Sequence, residues 1–443
     1  MFRKILKKSS LIFAVLAFLV AAAQSQTRDT YLRFLDSANG MTADAAVAYA
    51  LENNSELAAM RKEAEAGQAL IRQARLRANP DLQVGGTKQM NGDDNSFMIE
   101  GGIPLELAGR RNARIRIAEA ESEIRALAAA ERERQLAAEV RIKFAEALAA
   151  ILKLKFTEEM LSAAEQNYNL VSAQVEEGRR PPLEKNMEAV ELNRIRAVRE
   201  TAESEADVKM FELRNLIGME PEIPLRLSGD LKLSLSPLPG RETLLRVALE
   251  KRPDLGGARA VEKLAAARTN QARAEGQIDA DVMLGYQKML TRFPLSGFDA
   301  SGNLMPIEMR ANTFTFGIKF SLPVTNRNQG LIAAAKLEEE AAAKRRQFGE
   351  ISVRNEVSSA ISRYEFARQA AEIIRVGVRE QAAANLDVVR QTYEIGTKTL
   401  LDYIAEFRRY IDTEMNFIDA QLAAYKAHVE LLRAVNAPEL TGR

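Results

Sequence analysis

Two unbroken helical patterns constrain this chain more than any other feature. From about Arg110 to Glu177, and again from about Asn328 to Ile395, no proline occurs. Apolar residues recur there at alternating spacings of three and four, as in Ile117, Ala120, Ile124 and Leu127, or Ala164, Tyr168, Val171 and Val175. Such a seam packs helices lengthwise. At 1.5 Å per residue each helix extends roughly 100 Å, several times the width of a compact domain, so it belongs to a coiled coil or a tube. Alanine is abundant along both helices and the chain has no tryptophan, which leaves neighbouring helices room to approach closely. From these helices alone, a solvated two-stranded coiled coil without a channel stays open.

The chain is written twice. A shift of 198 residues aligns Ala50-Leu51-Glu52 with Ala248-Leu249-Glu250, Leu57 with Leu255, Gln73-Ala74-Arg75 with Gln271-Ala272-Arg273, and Val84 with Val282. A later shift of 218 aligns Gly178 with Gly396, Leu183 with Leu401 and Glu184 with Asp402. The first repeat is expected over 41–218, with a β-hairpin at 81–105, the long helix at 110–177 and a further helix at 183–218. The second is expected over 241–436, with a hairpin at 281–324, a long helix at 328–395 and a helix at 398–436. Between them, 219–240 holds four prolines (Pro221, Pro224, Pro237, Pro239) and the strand-like pieces Leu225-Arg226-Leu227 and Leu231-Lys232-Leu233, and reads as a surface linker.

Asn312 to Leu322 alternates with period two, placing Phe314, Phe316, Ile318, Phe320 and Leu322 on one face and Thr313, Thr315, Gly317, Lys319 and Ser321 on the other. Asp81 to Met90, Phe97 to Leu105 and Asp281 to Leu290 are weaker partners. They are joined by a loop at Asn91-Gly92-Asp93-Asp94-Asn95 and by a longer one around Arg292 to Arg310. All are close to the length that suits a tilted membrane strand. A soluble, half-buried hairpin alternates in the same way. Two equivalent hairpins in an exported chain, each leading into a very long helix, favour a barrel.

Four strands cannot close a barrel, and open sheet edges are not tolerated in lipid, so several chains must share one. Two chains supply eight strands around a side-chain-filled interior; three supply twelve and leave room for water. The residues therefore lead to a mainly α chain of duplicated long helical hairpins in a coiled coil or tube, with four β-strands per chain, and a trimer sharing a 12-stranded β-barrel is the smallest assembly that makes a pore.

Export is read from the start of the chain. The cationic run Arg3, Lys4, Lys7 and Lys8, the apolar stretch Leu11 to Val20 and the small residues Ala21-Ala22-Ala23 read as a signal peptide over residues 1–25. The apolar stretch is too short to span a bilayer, and no second one follows. Removing the leader takes four of the 62 basic residues and none of the 61 acidic ones, leaving a slightly acidic chain with no bias toward nucleic acid.

With no cysteine, disulfides, thiolate metal sites and N-terminal cysteine lipidation are excluded. The single histidine, His428, reads as a packing or surface residue. Met283, Met289, Met305 and Met309 are soft donors in type, but apolar filling is the ordinary role of methionine. No nucleotide loop, zinc helix or nucleophile elbow is present, so no catalytic residue, metal site or cofactor is assigned and the chain is not read as an enzyme.

Together, Ala50-Leu51-Glu52-Asn53-Asn54-Ser55-Glu56-Leu57 with its repeat Ala248 to Leu255, the strand ends Ile103-Pro104-Leu105 and Leu322-Pro323-Val324, and Tyr393-Glu394-Ile395-Gly396-Thr397-Lys398-Thr399 resemble the TolC-like outer-membrane efflux family over about Met41 to Ala437. That resemblance implies a homotrimer in outer-membrane lipid, continued by an α-barrel across the periplasm. It also implies a periplasmic adaptor and an inner-membrane pump of RND type as partners. The run Leu322-Pro323-Val324-Thr325-Asn326-Arg327-Asn328-Gln329-Gly330 looks like the branch serving cobalt, zinc, cadmium or copper efflux. The absence of an acylated N-terminal cysteine departs from many members near that branch.

By the same resemblance the gate lies where the helices turn. Asp402 matches a carboxylate that rings the constriction, Tyr393 and Lys398 match a polar latch, and Glu184 matches its acidic partner. Gly178, Arg179, Arg180, Gly396 and Thr397 mark the turns and the adaptor-docking site. Ala405 occupies the place of a second acidic ring. Ordinary turn chemistry is the competing account of an early acid on a helix. Two alternatives stay open: the exit duct of a type I protein secretion system, and a periplasmic structural or chaperone coiled coil.

Overall fold

The computed structural model describes residues 30–231 and 239–442. The leader assigned to residues 1–25, and Lys232 and Leu233 of the linker, lie outside the described residues. Helices α1 (Ala43–Asn53) and α2 (Ser55–Ala74) lead into strands β1 (Asp81–Lys88) and β2 (Asn95–Pro104), then into helices α3 (Arg110–Glu176) and α4 (Pro182–Ile217). The second copy repeats the order with α5 (Arg241–Lys251), α6 (Pro253–Glu275), β3 (Asp279–Phe298), β4 (Leu304–Ser321), α7 (Gln329–Ile373), α8 (Glu380–Glu394) and α9 (Leu400–Val435). The described residues divide into two compact units, one of residues up to 58, 131–252 and 352–443, the other of Ala59–Ala130 and Pro253–Ile351.

In the first unit, α1, the middle of α3, the end of α4 and the end of α9 share one core. Leu136, Leu148, Ile151, Leu154, Met210, Leu213 and Ile217 are fully buried in it. Ala46, Ala137, Ala145, Ala147 and Ala206 are equally buried, so these helices meet across small side chains. The long helix α3 runs 67 residues without a break.

Its counterpart does not. A π-helical turn, Ile374–Arg379, separates α7 from α8, so the continuous helix expected over 328–395 is interrupted. A π turn takes one extra residue inside an otherwise regular helix, a displacement too small for the apolar spacing to register.

The segment after α4 is anchored at three points. Leu225, Leu227 and Leu231 are buried in the core of the first unit, and Leu227 bridges in parallel to Leu35 and Met41. Most of the described residues around these three leucines are exposed, so the segment runs over the surface and turns the leucines inward. Gly40 permits this approach, because a Cβ there would lie 2.5 Å from the carbonyl oxygens of Asp36 and Leu227.

The second unit carries one antiparallel sheet in the order β1-β2-β3-β4. The second hairpin is longer than expected. Strands β3 and β4 extend through most of the stretch assigned to the Arg292 to Arg310 loop, leaving 299–303 as the turn. A register shift between Arg292 and Ser296 breaks the alternation there, which hides the strand from a period-two reading.

The register sets Leu284 opposite Phe316, Tyr286 opposite Phe314 and Val282 opposite Ile318, with Ile99, Gly101 and Ile103 next to them on β2. One face of the sheet is therefore apolar, and it is open: Phe314 is 79% and Phe316 84% exposed. The same register sets Met289 opposite Ala311 and Met309 opposite Thr291, with no methionine directly across from another. Among the described residues, no helix is long and apolar enough to cross a membrane.

Candidate functional site

The two turns that close the helical hairpins are built alike. Gly178 and Gly396 both take positive φ, 73° and 80°, at the ends of α3 and α8. The Arg179 N–H donates to the Gln174 carbonyl at 2.8 Å, and the equivalent Thr397 N–H donates to Thr392 at 3.0 Å. These are Schellman closures, in which a residue without a Cβ reaches the left-handed region at little cost.

The helices that leave the turns start differently. Thr399 caps α9: its N–H and hydroxyl donate to Asp402 Oδ2 at 3.0 and 2.8 Å, and the Asp402 N–H donates to Thr399 Oγ1 at 3.2 Å. This reciprocal capping box holds the Asp402 carboxyl below the usual carboxylate range, chiefly through the Thr399 hydroxyl. The side chain remains exposed.

Glu184, its repeat equivalent, leaves its own cap. Pro182 begins α4 with no side-chain cap, and Glu184 faces Arg180 and Tyr393 instead. Arg180 Nη1 donates to Glu184 Oε2 at 2.7 Å and to the Tyr393 hydroxyl, which itself donates to Glu184 Oε2 at 3.3 Å. The Arg180 guanidinium also lies over the Tyr393 ring, 4.4 Å from its centre. Burial pushes the Tyr393 phenol further above its already high range, so it stays a donor.

Beneath this group the rings of Tyr393, Tyr403 and Phe407 stack at 5.7 and 6.0 Å, and Asn167 donates to the Tyr403 hydroxyl at 2.9 Å. About two turns beyond Glu184, buried Glu191 of α4 accepts from Arg194 at 2.7 Å and from Arg408 of α9 at 2.8 Å. The first-copy hairpin is thus tied to the second by two charged clasps around an aromatic stack.

Of the residues expected here, Glu184 and Tyr393 come together. Lys398 is exposed and stands outside their cluster; the cation between them is Arg180, which the sequence placed at the docking turn. Arg179 is exposed and pairs with Glu177. Glu188, Glu191, Arg408 and Tyr403 were not expected. Glu188 and Glu191 lie at helical spacing from the buried Leu192 and Ile195, so acids within an apolar seam were the available signal. His428 packs on Tyr364, with ring centres 5.2 Å apart, and burial lowers its pKa. Among the described residues, no cluster of three His, Asp or Glu side chains is placed to hold a metal.

A protein-family model described as outer membrane efflux protein matches residues 46–219 and 244–437, one stretch in each copy. The chain is 24% identical over 434 residues to the cobalt-zinc-cadmium resistance protein CzcC of Cupriavidus metallidurans, covering 96% of this chain and 97% of that one. Among solved structures it is similar to CusC, with a TM-score of 0.73 and 18% identity over 89% of this chain and 91% of the other. It is also similar to the open-state MtrE outer membrane channel of Neisseria gonorrhoeae, with a TM-score of 0.71 and 19% identity over 89% and 88%.

Proposed function

This chain belongs to the outer membrane efflux protein family, and from that premise we propose that three copies assemble into one conduit with a shared 12-stranded barrel. As a family member it is an outer-membrane channel component and not an enzyme. The observation that carries the assembly is the sheet itself. Strands β1 and β4 are free edges, and the open apolar face needs lipid against it. Backbone groups at such edges find partners in a bilayer only if sister chains close the sheet. Three copies give an even, antiparallel barrel wide enough for water.

The leader over residues 1–25 serves export, and the long helices form the periplasmic tube. Substrates arrive from an inner-membrane pump of RND type through an adaptor that docks on the turns at Gly178, Arg179, Arg180, Gly396 and Thr397. The likeness to a protein named for cobalt, zinc and cadmium resistance supports divalent metal ions as the cargo. Membrane fractionation tests this reading. The protein is expected in the outer-membrane fraction and, after detergent extraction, as a trimer; a monomer freely soluble without detergent would refute it.

The gate is placed at the turns. Three Asp402 carboxylates around one axis make a cation-attracting ring, and the low pKa keeps them charged at any pH above the ordinary carboxylate range. Glu184 and Tyr393 latch the neighbouring helices, while Lys398 serves at the exposed rim. Asp402→Asn is expected to lower cation preference in planar bilayers. Unchanged selectivity removes the ring.

A further inference from the structure

The charged clasps of the tip leave one carboxyl out. Glu188 lies one helical turn beyond Glu184 on α4, is 3% exposed, and its Oε1 has no hydrogen-bond partner. The titratable and charged groups that act on it or that it acts on come from α4, the turn before it, α8 and α9. They are Glu184 and Glu191 on its own helix, Arg180 in the preceding turn, Tyr393 on α8 and Tyr403 on α9. Arg194 and Arg408 are committed to Glu191, and Arg390 and Glu394 act on Tyr403.

A carboxylate buried without donors is expensive to keep charged, so the neutral acid is the resting form. Burial first, and then repulsion from Glu191, push the pKa up to about 7, with the Arg180 guanidinium opposing. The proton therefore comes off near neutrality, in place, beside the one cation that holds the latch.

We propose that Glu188 is a proton-operated positioning residue of the tip latch. With its proton on, it leaves Arg180 to Glu184 and Tyr393, and α8 stays fastened to α4. With its proton lost, it competes for the guanidinium and sets a third negative charge between Glu184 and Glu191, which loosens the hold. The sign follows from linkage: a carboxyl with a raised pKa favours the packed, latched arrangement at low pH. That preference declines as pH rises from the ordinary carboxylate value through about 7. The inference deepens the channel reading and rests on it.

The test is single-channel recording of the purified full-length protein from about pH 5.5 to about pH 8.5, a window that brackets the raised carboxyl and avoids ordinary carboxylates. The expected result is a several-fold rise in conductance with its midpoint near neutrality. Glu188→Gln, which mimics the neutral acid, is expected to give low current that is flat with pH. Arg180→Met, which has no guanidinium to capture, is expected to give high current that is also flat. A flat wild-type profile, or a Glu188→Gln channel that keeps the step, overturns the proposal. If Glu188→Gln does not assemble, Arg180→Met decides, since a retained step there is equally fatal. No current from any variant at any pH would instead sink the channel reading, and this proposal with it.

Discussion

Replacing Phe316 with arginine is expected to keep the protein out of the outer membrane, whereas Thr315→Arg, one residue earlier on the same strand, is expected to be tolerated. Phe316 is 84% exposed on the apolar face of the sheet and sits opposite Leu284, midway along a row with Phe314 and Ile318. A strand side chain alternates strictly between faces, so its neighbour Thr315 points toward the other side, across from Gly285 and Glu100. In the proposed barrel the first face meets lipid and the second meets the lumen. An arginine near the bilayer midplane costs roughly 2–4 kcal/mol per chain, incurred three times in a trimer, while a lumen-facing arginine stays in water. The measurement is the fraction of protein recovered as membrane-embedded trimer. Normal insertion of Phe316→Arg, or equal failure of both variants, would show that this face does not meet lipid.

That face was legible because Asn312 to Leu322 sets an apolar residue at every second position, and few structures other than a one-sided strand use that spacing. The outer half of the hairpin was not legible. Two extra residues of β3 between Arg292 and Ser296 interrupt the ladder, and Glu308 pairs with both Arg292 and Arg310 instead of marking a loop. Leu225, Leu227 and Leu231 show the converse. Their alternation was visible, but the prolines around them suggested a surface linker, and the distant Leu35 and Met41 explain why these leucines are buried. The π turn at Ile374–Arg379 leaves no trace in composition.

At the tip, duplication located the turns, since Gly178 and Gly396 sit 218 residues apart, as do Glu184 and Asp402. It did not disclose that the two acids diverge, one turned back on its own cap and the other reaching across to Tyr393. Whether Lys398 or Arg180 supplies the cation depends on which side of each turn faces the partner hairpin, and spacing along the chain does not encode that.

Arg408→Met is expected to leave the tip ajar and raise resting conductance by roughly ten- to a hundredfold. Glu191 is 2% exposed in its side chain and holds two arginines, Arg194 from its own helix and Arg408 from α9. Of these two arginines, Arg408 is the one that crosses between the hairpins, so removing it cuts that tie, yet the buried carboxylate stays. Losing a charged hydrogen-bond partner at a buried acid costs roughly 1.5–3 kcal/mol. Since about 1.4 kcal/mol is a tenfold population change, a closed tip that owes this energy to the clasp opens in proportion. The charge itself is not the source of stability. Replacing both partners, as in Glu191→Leu with Arg408→Met, removes the stranded carboxylate and lets apolar packing beside Leu192, Ile195, Phe407 and Ile411 take over. The double variant is therefore expected to leak less than Arg408→Met alone. If the two substitutions simply add, Glu191 and Arg408 are not coupled, and the aromatic stack of Tyr393, Tyr403 and Phe407 closes the tip without them.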